Sequence, residues 1–228
     1  MNRIALLLSL SLLFAAPAGS APAPEAEARA VIDATVADVL AHLANDDLTL
    51  DQKRAHITDV AYERFDFETM SKLVLKRDWR KFSDEQKSRF VVAFRTYLAN
   101  NYGSRLTRYH QEAIDMVGEK LEKRGDVTVR TIIRGGDASG ASIDYRLRNR
   151  DGQWRIIDVV IEGISLVSNF RSQFADVLHQ GGPDELLARL EARNAEAAAT
   201  TADAKPADDT PGDETGDALG PDATATAL

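Results

Sequence analysis

Cysteine is absent from the 228 residues. That excludes thiolate metal sites, cysteine nucleophiles, disulfide staples and a lipid-anchored N-terminal cysteine together. Beyond the first residues no stretch approaches the 18 consecutive apolar residues of a membrane-spanning helix. Histidine is scarce, and none of His42, His56, His110 and His179 has another three or four residues away, so no helical metal pair is visible. Excess positive charge is missing too. The formal net charge is −8, whereas a nucleic-acid partner requires a basic face. No nucleic acid, metal or cofactor is therefore expected.

What is present starts at the N-terminus. Arg3 precedes an apolar run of thirteen residues, Ile4 to Ala16, followed by small residues. The run is too short for a bilayer, which needs roughly 20 residues, and has the layout of a secretory signal. Cleavage is expected after Ala18, because cutting after Ala21 would leave Pro22 first. Residues 1–18 are thus read as a signal peptide, and export to the bacterial periplasm as a soluble protein is expected. At the other end, residues 195–228 hold eight acids against Lys205 and no aromatic residue. Such a segment buries too little apolar surface to offset its ordering entropy, so it is read as a disordered acidic tail. Residues 19–194 remain as one domain.

The first half of that domain reads as helix. Thr49 or Asp51 starts a helix to Phe65, Asp66 caps a short one, and Ser83 with Gln86 forms a capping box. Phe90, Phe94, Tyr97, Leu98, Tyr102, Leu106 and Tyr109 then repeat along one stripe. The second half alternates with period two, at Val127–Ile133, Ile143–Leu147 and Trp154–Glu162, with a hairpin turn at Asp151-Gly152. The last strand is expected to be buried on both faces and to lie centrally, since Ile157, Val159 and Ile161 are wholly apolar while the phase of Trp154, Ile156, Asp158, Val160 and Glu162 is mixed. Helix returns after Gly163 and restarts at Pro183 or Asp184. The expected fold is α+β, with several helices packed on a curved, roughly four-stranded antiparallel sheet that encloses an apolar cavity.

Catalytic constellations are sparse. Gly163-Ile164-Ser165 lacks the second glycine of a nucleophile elbow. Asp158 and Glu162 fall about 13 Å apart along one strand, too far for paired-carboxylate hydrolysis. Asp158 among isoleucine and valine needs a partner, which Arg146 or Arg171 can supply. No catalytic residue is assigned, and an enzyme is not expected.

Two segments carry a resemblance. Phe65-Asp66-Phe67-Glu68-Thr69-Met70-Ser71-Lys72-Leu73-Val74-Leu75, followed by Trp79-Arg80, and the stretch from Trp154 to Phe174 (WRIIDVVIEGISLVSNFRSQF) resemble the two signatures of the MlaC-like family. These are periplasmic phospholipid-binding proteins, also called toluene-tolerance or ABC-transport auxiliary proteins. The resemblance implies a diacyl phospholipid carrier that shuttles between an outer-membrane lipoprotein complex and an inner-membrane ABC transporter with an MCE-domain subunit, maintaining outer-membrane lipid asymmetry. On that reading the site is an apolar lining. Met70, Leu73, Val74, Phe90, Phe94, Tyr97, Leu98 and Tyr102 are its candidates from the helices. Val129, Ile143, Tyr145, Leu147, Ile157, Val159 and Ile161 are those from the strands, with Ile164, Val167 and Phe170 at the rim. Lys76, Arg77, Arg80 and Lys81 are candidates for contact with a head group or an acidic partner. Two other readings stay open: an enzyme on a similar cone-shaped scaffold using Asp158 with His110 or a tyrosine, and a periplasmic chaperone for apolar protein segments.

Overall fold

The computed structural model describes residues 22–106 and 112–203. The expected signal peptide, Tyr109, His110 and the tail from residue 204 lie outside the described residues. Five helices and a five-stranded sheet follow in the order helices, strands, helix. Helix α1 spans Pro24–Leu43, α2 Leu50–Arg64, α3 Phe67–Leu75, and a 3-10 turn covers Lys76–Lys81 before α4, Asp84–Leu106. Strands β1 (Ala113–Leu121), β2 (Val127–Arg134), β3 (Ser142–Arg150), β4 (Gln153–Ile161) and β5 (Ile164–Ser165) precede α5, Leu166–Asp203.

The helix starts are chemically marked. Thr49 Oγ1 accepts from the Gln52 backbone N–H at 3.2 Å while the Gln52 side chain accepts from Thr49 N–H at 2.8 Å. Ser83 and Gln86 repeat that exchange at 3.1 and 2.9 Å, and Asp66 accepts from Thr69 N–H at 2.8 Å. Each reciprocal pair satisfies two amide groups that a helix start leaves open. Helix ends use cations instead. Buried Lys53 donates to Leu43 O at 2.8 Å, and Arg171 donates to Leu73 O at 2.9 and 3.2 Å.

The sheet is an antiparallel meander in the order β1-β2-β3-β4-β5. Asp151 (φ 53°) and Gly152 (φ 82°) turn β3 into β4 with both central residues left-handed, the conformation of a type I′ hairpin. Two irregularities break the register. One falls in β1 between Met116 and Gly118, the other where Arg146 pairs Asp158 but Leu147 pairs Ile156. Bulges of this kind bend a sheet and raise its twist.

The structure departs from the sequence reading in three places. The strand count is five, because Ile164-Ser165 folds back on Val160-Ile161 as the short β5. β4 is therefore second from the edge and not central. Its burial on both faces is explained by the bulge and by cover on that edge, where Phe65 bridges Ile156 and Asp66 N–H donates to Ile156 O at 2.9 Å. Finally, residues 195–203, assigned to the acidic tail, continue α5. That helix is broken at Gly182, whose φ of 71° and ψ of −165° require glycine, and Pro183 begins the second segment.

Candidate functional site

A cavity of about 250 Å³ lies between the helices and the sheet. Helix α1 contributes Val36, Val39, Leu40 and Leu43, and α2 contributes Ile57, Val60, Ala61 and Tyr62. The last turns of α4 add Leu98, Ala99, Tyr102 and Gly103, while Phe65, Phe67 and Met70 close one end. The sheet offers Ile114, Ile133, Ile143, Tyr145, Ile156, Val159 and Ile161. Strand pairing sets this floor: Ile143 opposes Ile161 and Tyr145 opposes Val159, so the four side chains share one face.

Of the candidate lipid-contacting residues, the structure brings Met70, Leu98, Tyr102, Ile143, Tyr145, Val159 and Ile161 together on this wall. Others pack elsewhere. Phe90, Phe94 and Phe170, with Phe174, form a closed aromatic cluster between α4 and α5, with ring centroids 5.4 to 5.7 Å apart and mostly edge-to-face. Tyr97 joins it through Phe170 at 5.8 Å. Val74, Val129, Leu147 and Val167 are in the packed core, and Leu73 is half-buried against it. Ile157 is buried but is the extra residue of the β3–β4 bulge, so Ile156 takes the inward position beside Val159. A strict period of two cannot anticipate that shift, because one inserted residue exchanges the faces. Ile164 is exposed. Lys76, Arg77, Arg80 and Lys81 are exposed on the 3-10 turn and off the cavity wall, with Lys81 paired to Asp78 at 2.7 Å.

The α1 and α2 contributions were not named from sequence. Ile57, Val60 and Ala61 do recur at three- and four-residue spacing, which is the signal that could have found them.

Tyr145 is enclosed by protein yet keeps accessible surface, because that surface faces the cavity. Burial pushes its phenol up to about 12. A low-dielectric interior disfavours the phenolate, so this shift marks the cavity as apolar.

Asp158 meets the expected Arg146 and two closer partners that the sequence did not name. Its carboxylate accepts from Ser165 Oγ at 2.6 Å and from Val167 N–H at 3.1 Å, with Arg146 Nη1 more distant at 3.8 Å. It therefore satisfies the start of α5 and ties β4 to β5. Arg171 is engaged with Leu73 O instead.

Asp38, His42 and His56 meet between α1 and α2, which sequence spacing did not reveal. The imidazoles stack with centroids 3.2 Å apart and planes 13° from parallel. A bound metal lies near the plane of each ligating ring, and two such nearly parallel planes offer no shared point. His42 Nδ1 also sits 3.0 Å from Asp38 O, a contact that requires the nitrogen to donate its hydrogen. The arrangement reads as a polar clasp between helices. Among the described residues no helix is long and apolar enough to cross a membrane.

Comparison with known proteins matches this architecture. A solved phospholipid-binding protein from Ralstonia solanacearum, determined in complex with a phospholipid, superposes with a TM-score of 0.67 at 28% identity, covering 75% of this chain and 98% of that one. The toluene tolerance protein ttg2D of Pseudomonas putida is 30% identical over 105 residues, 46% of this chain and 49% of its own. The intermembrane phospholipid transport system binding protein MlaC of Haemophilus influenzae is 25% identical over 122 residues, 52% of this chain and 57% of its own. The chain thus spans about half the length of these curated relatives. The family described as MlaC protein matches residues 33–192, which include both signature segments, all five strands and most of the cavity wall. The chain belongs to the MlaC protein family.

Proposed function

We propose that this chain is a phospholipid carrier that holds acyl chains in the cavity between α1, α2, α4 and the sheet. The observation that carries the reading is the wall itself, where aliphatic and aromatic side chains from every layer of the fold converge on one space. The phospholipid held by the similar Ralstonia protein supports the ligand class. Moving each CH₂ into water costs about 0.8 kcal/mol, so two long chains amount to roughly 20 kcal/mol. A lipid therefore crosses an aqueous compartment only inside a carrier, and binding without catalysis suffices.

The carrier acts in the periplasm, following export by the segment 1–18. It exchanges diacyl phospholipid between an outer-membrane lipoprotein complex and an inner-membrane ABC transporter with an MCE-domain subunit, which maintains outer-membrane lipid asymmetry. The exposed cations Lys76, Arg77, Arg80 and Lys81 form a contact surface for an acidic partner. A cavity of about 250 Å³ falls below the about 300–1,000 Å³ usual for ligand sites. Uptake of two tails therefore requires the cavity wall to open further.

Native mass spectrometry of protein purified without detergent tests the reading. One diacyl phospholipid per chain is the expected result. Protein that is consistently free of lipid after expression in a cell with both membranes would overturn it.

A further inference from the structure

We propose that Arg95 is the anion-binding residue of the cavity and makes the carrier select lipids bearing a phosphate over uncharged lipids with the same tails. The inference rests on the carrier reading and adds a head-group determinant to it. Among the described residues, Arg95 and Glu112 are the two charged side chains on the cavity wall. Glu112 lies with its carboxylate against Gly136 in the β2–β3 turn. Arg95 has no such seat. Its Nε is buried without a hydrogen-bond partner, and among the described residues no carboxylate pairs with it.

The guanidinium is nevertheless held in place. It stacks over the Tyr62 ring with 4.5 Å from Cζ to the ring centroid. Tyr62 is itself fixed edge-on against Phe67 at 5.9 Å, and Phe67 stacks on Phe65 at 5.6 Å. A guanidinium with one face on an aromatic ring keeps its N–H edge free, and that fork matches the oxygens of a phosphate. The threonine hydroxyls on the wall do not compete as donors, and its phenols (Tyr62, Tyr102 and Tyr145) carry no positive charge. Thr58 Oγ1 donates to Arg54 O at 2.9 Å and Thr35 Oγ1 to Val31 O at 2.7 Å. Their hydrogens are spent on their own helices, which leaves Arg95 to meet a negative charge entering beside the tails. A phosphodiester monoanion attached to two acyl chains supplies both the charge and the apolar surface that this wall fits.

The test uses delipidated full chain offered phosphatidylglycerol and diacylglycerol with identical tails, read by native mass spectrometry in direct competition. The wild type is expected to prefer the phospholipid by about tenfold to a hundredfold, the range of a charge-assisted hydrogen bond. Arg95→Met and Arg95→Gln are both expected to bring the preference close to parity while diacylglycerol still loads. Arg95→Lys is expected to retain part of it. Diacylglycerol loading reports that each variant is folded, and two variants guard against one that is not. Equal loading of the two lipids by the wild type, or an undiminished preference in a folded Arg95→Gln, overturns the proposal. So does displacement of phosphatidylglycerol by millimolar inorganic phosphate, which would make this a free-anion site. Failure of both lipids to load sinks the carrier reading itself and is distinguishable from all of these.

Discussion

In its first turns α4 presents Phe90 and Phe94 to α5, and in its last turns it presents Leu98, Ala99, Tyr102 and Gly103 to the cavity. The same helix, with the same apolar periodicity, builds a solid in one half and a hollow in the other. The difference lies in what stands opposite. Phe170 and Phe174 fill the space across from Phe90 and Phe94, leaving these rings fully buried. Ala99 and Gly103 on α4 share the cavity with α2, the Val36–Leu43 face of α1 and the sheet, and no large side chain fills the space between them. A cavity is thus a property of paired surfaces, whereas hydrophobic periodicity describes one surface at a time.

The largest effect should come from the solid half. Phe94→Ala removes the ring at the centre of the cluster and is expected to cost about 3–5 kcal/mol of stability, measured by denaturant unfolding. Lipid bound per folded molecule should not change. Loss of lipid from a variant that remains folded would break the comparison, because the cluster would then belong to the binding site.

Asp158→Ala comes next. It leaves the Val167 N–H and the Ser165 hydroxyl at the β4–α5 junction without their acceptor. The cost of such unsatisfied groups is about 1–3 kcal/mol, read in the same unfolding experiment. Because this junction places Phe170 and Phe174, the variant tests whether the solid half depends on it. Loss of transport with stability intact would instead favour the enzyme reading of Asp158.

Ala99→Phe addresses the hollow half. Filling space in a cavity commonly stabilises by about 0.5–2 kcal/mol, so a neutral to raised melting temperature is expected together with a severalfold fall in lipid occupancy. A strongly destabilised variant would show that the hollow is packed more tightly than its lining indicates.

How much of this was legible in the sequence follows the same division. The capping exchanges at Thr49–Gln52 and Ser83–Gln86, the Asp66 cap and the Asp151-Gly152 hairpin are local, and each occurs where its residues place it. The order of helices and strands follows from periodicity. What escaped is non-local. The bulge that moves Ile157 out of line and Ile156 into it depends on the partner strand β3. Phe90 and Leu98 look alike in sequence, and only the packing of α5 separates cluster from wall. The His42–His56 stack joins two helices whose contact no spacing rule encodes.

The smallest expected effect reports on the character of the hollow directly. Tyr145 faces the cavity, and burial raises its phenol to about 12. In the unfolded chain a tyrosine ionises near pH 10. The folded state therefore holds this proton more tightly, so the linked stability is present in full below about pH 10 and declines as pH rises from there through about 12. Absorbance titration of the phenolate, compared with Tyr145→Phe, isolates the residue. One tyrosine that resists ionisation until about pH 12 is expected, and it disappears in the variant. Ionisation of Tyr145 near pH 10 would mean that water fills the space, and a wet cavity would no longer differ from the protein surface in the way that holding acyl chains requires.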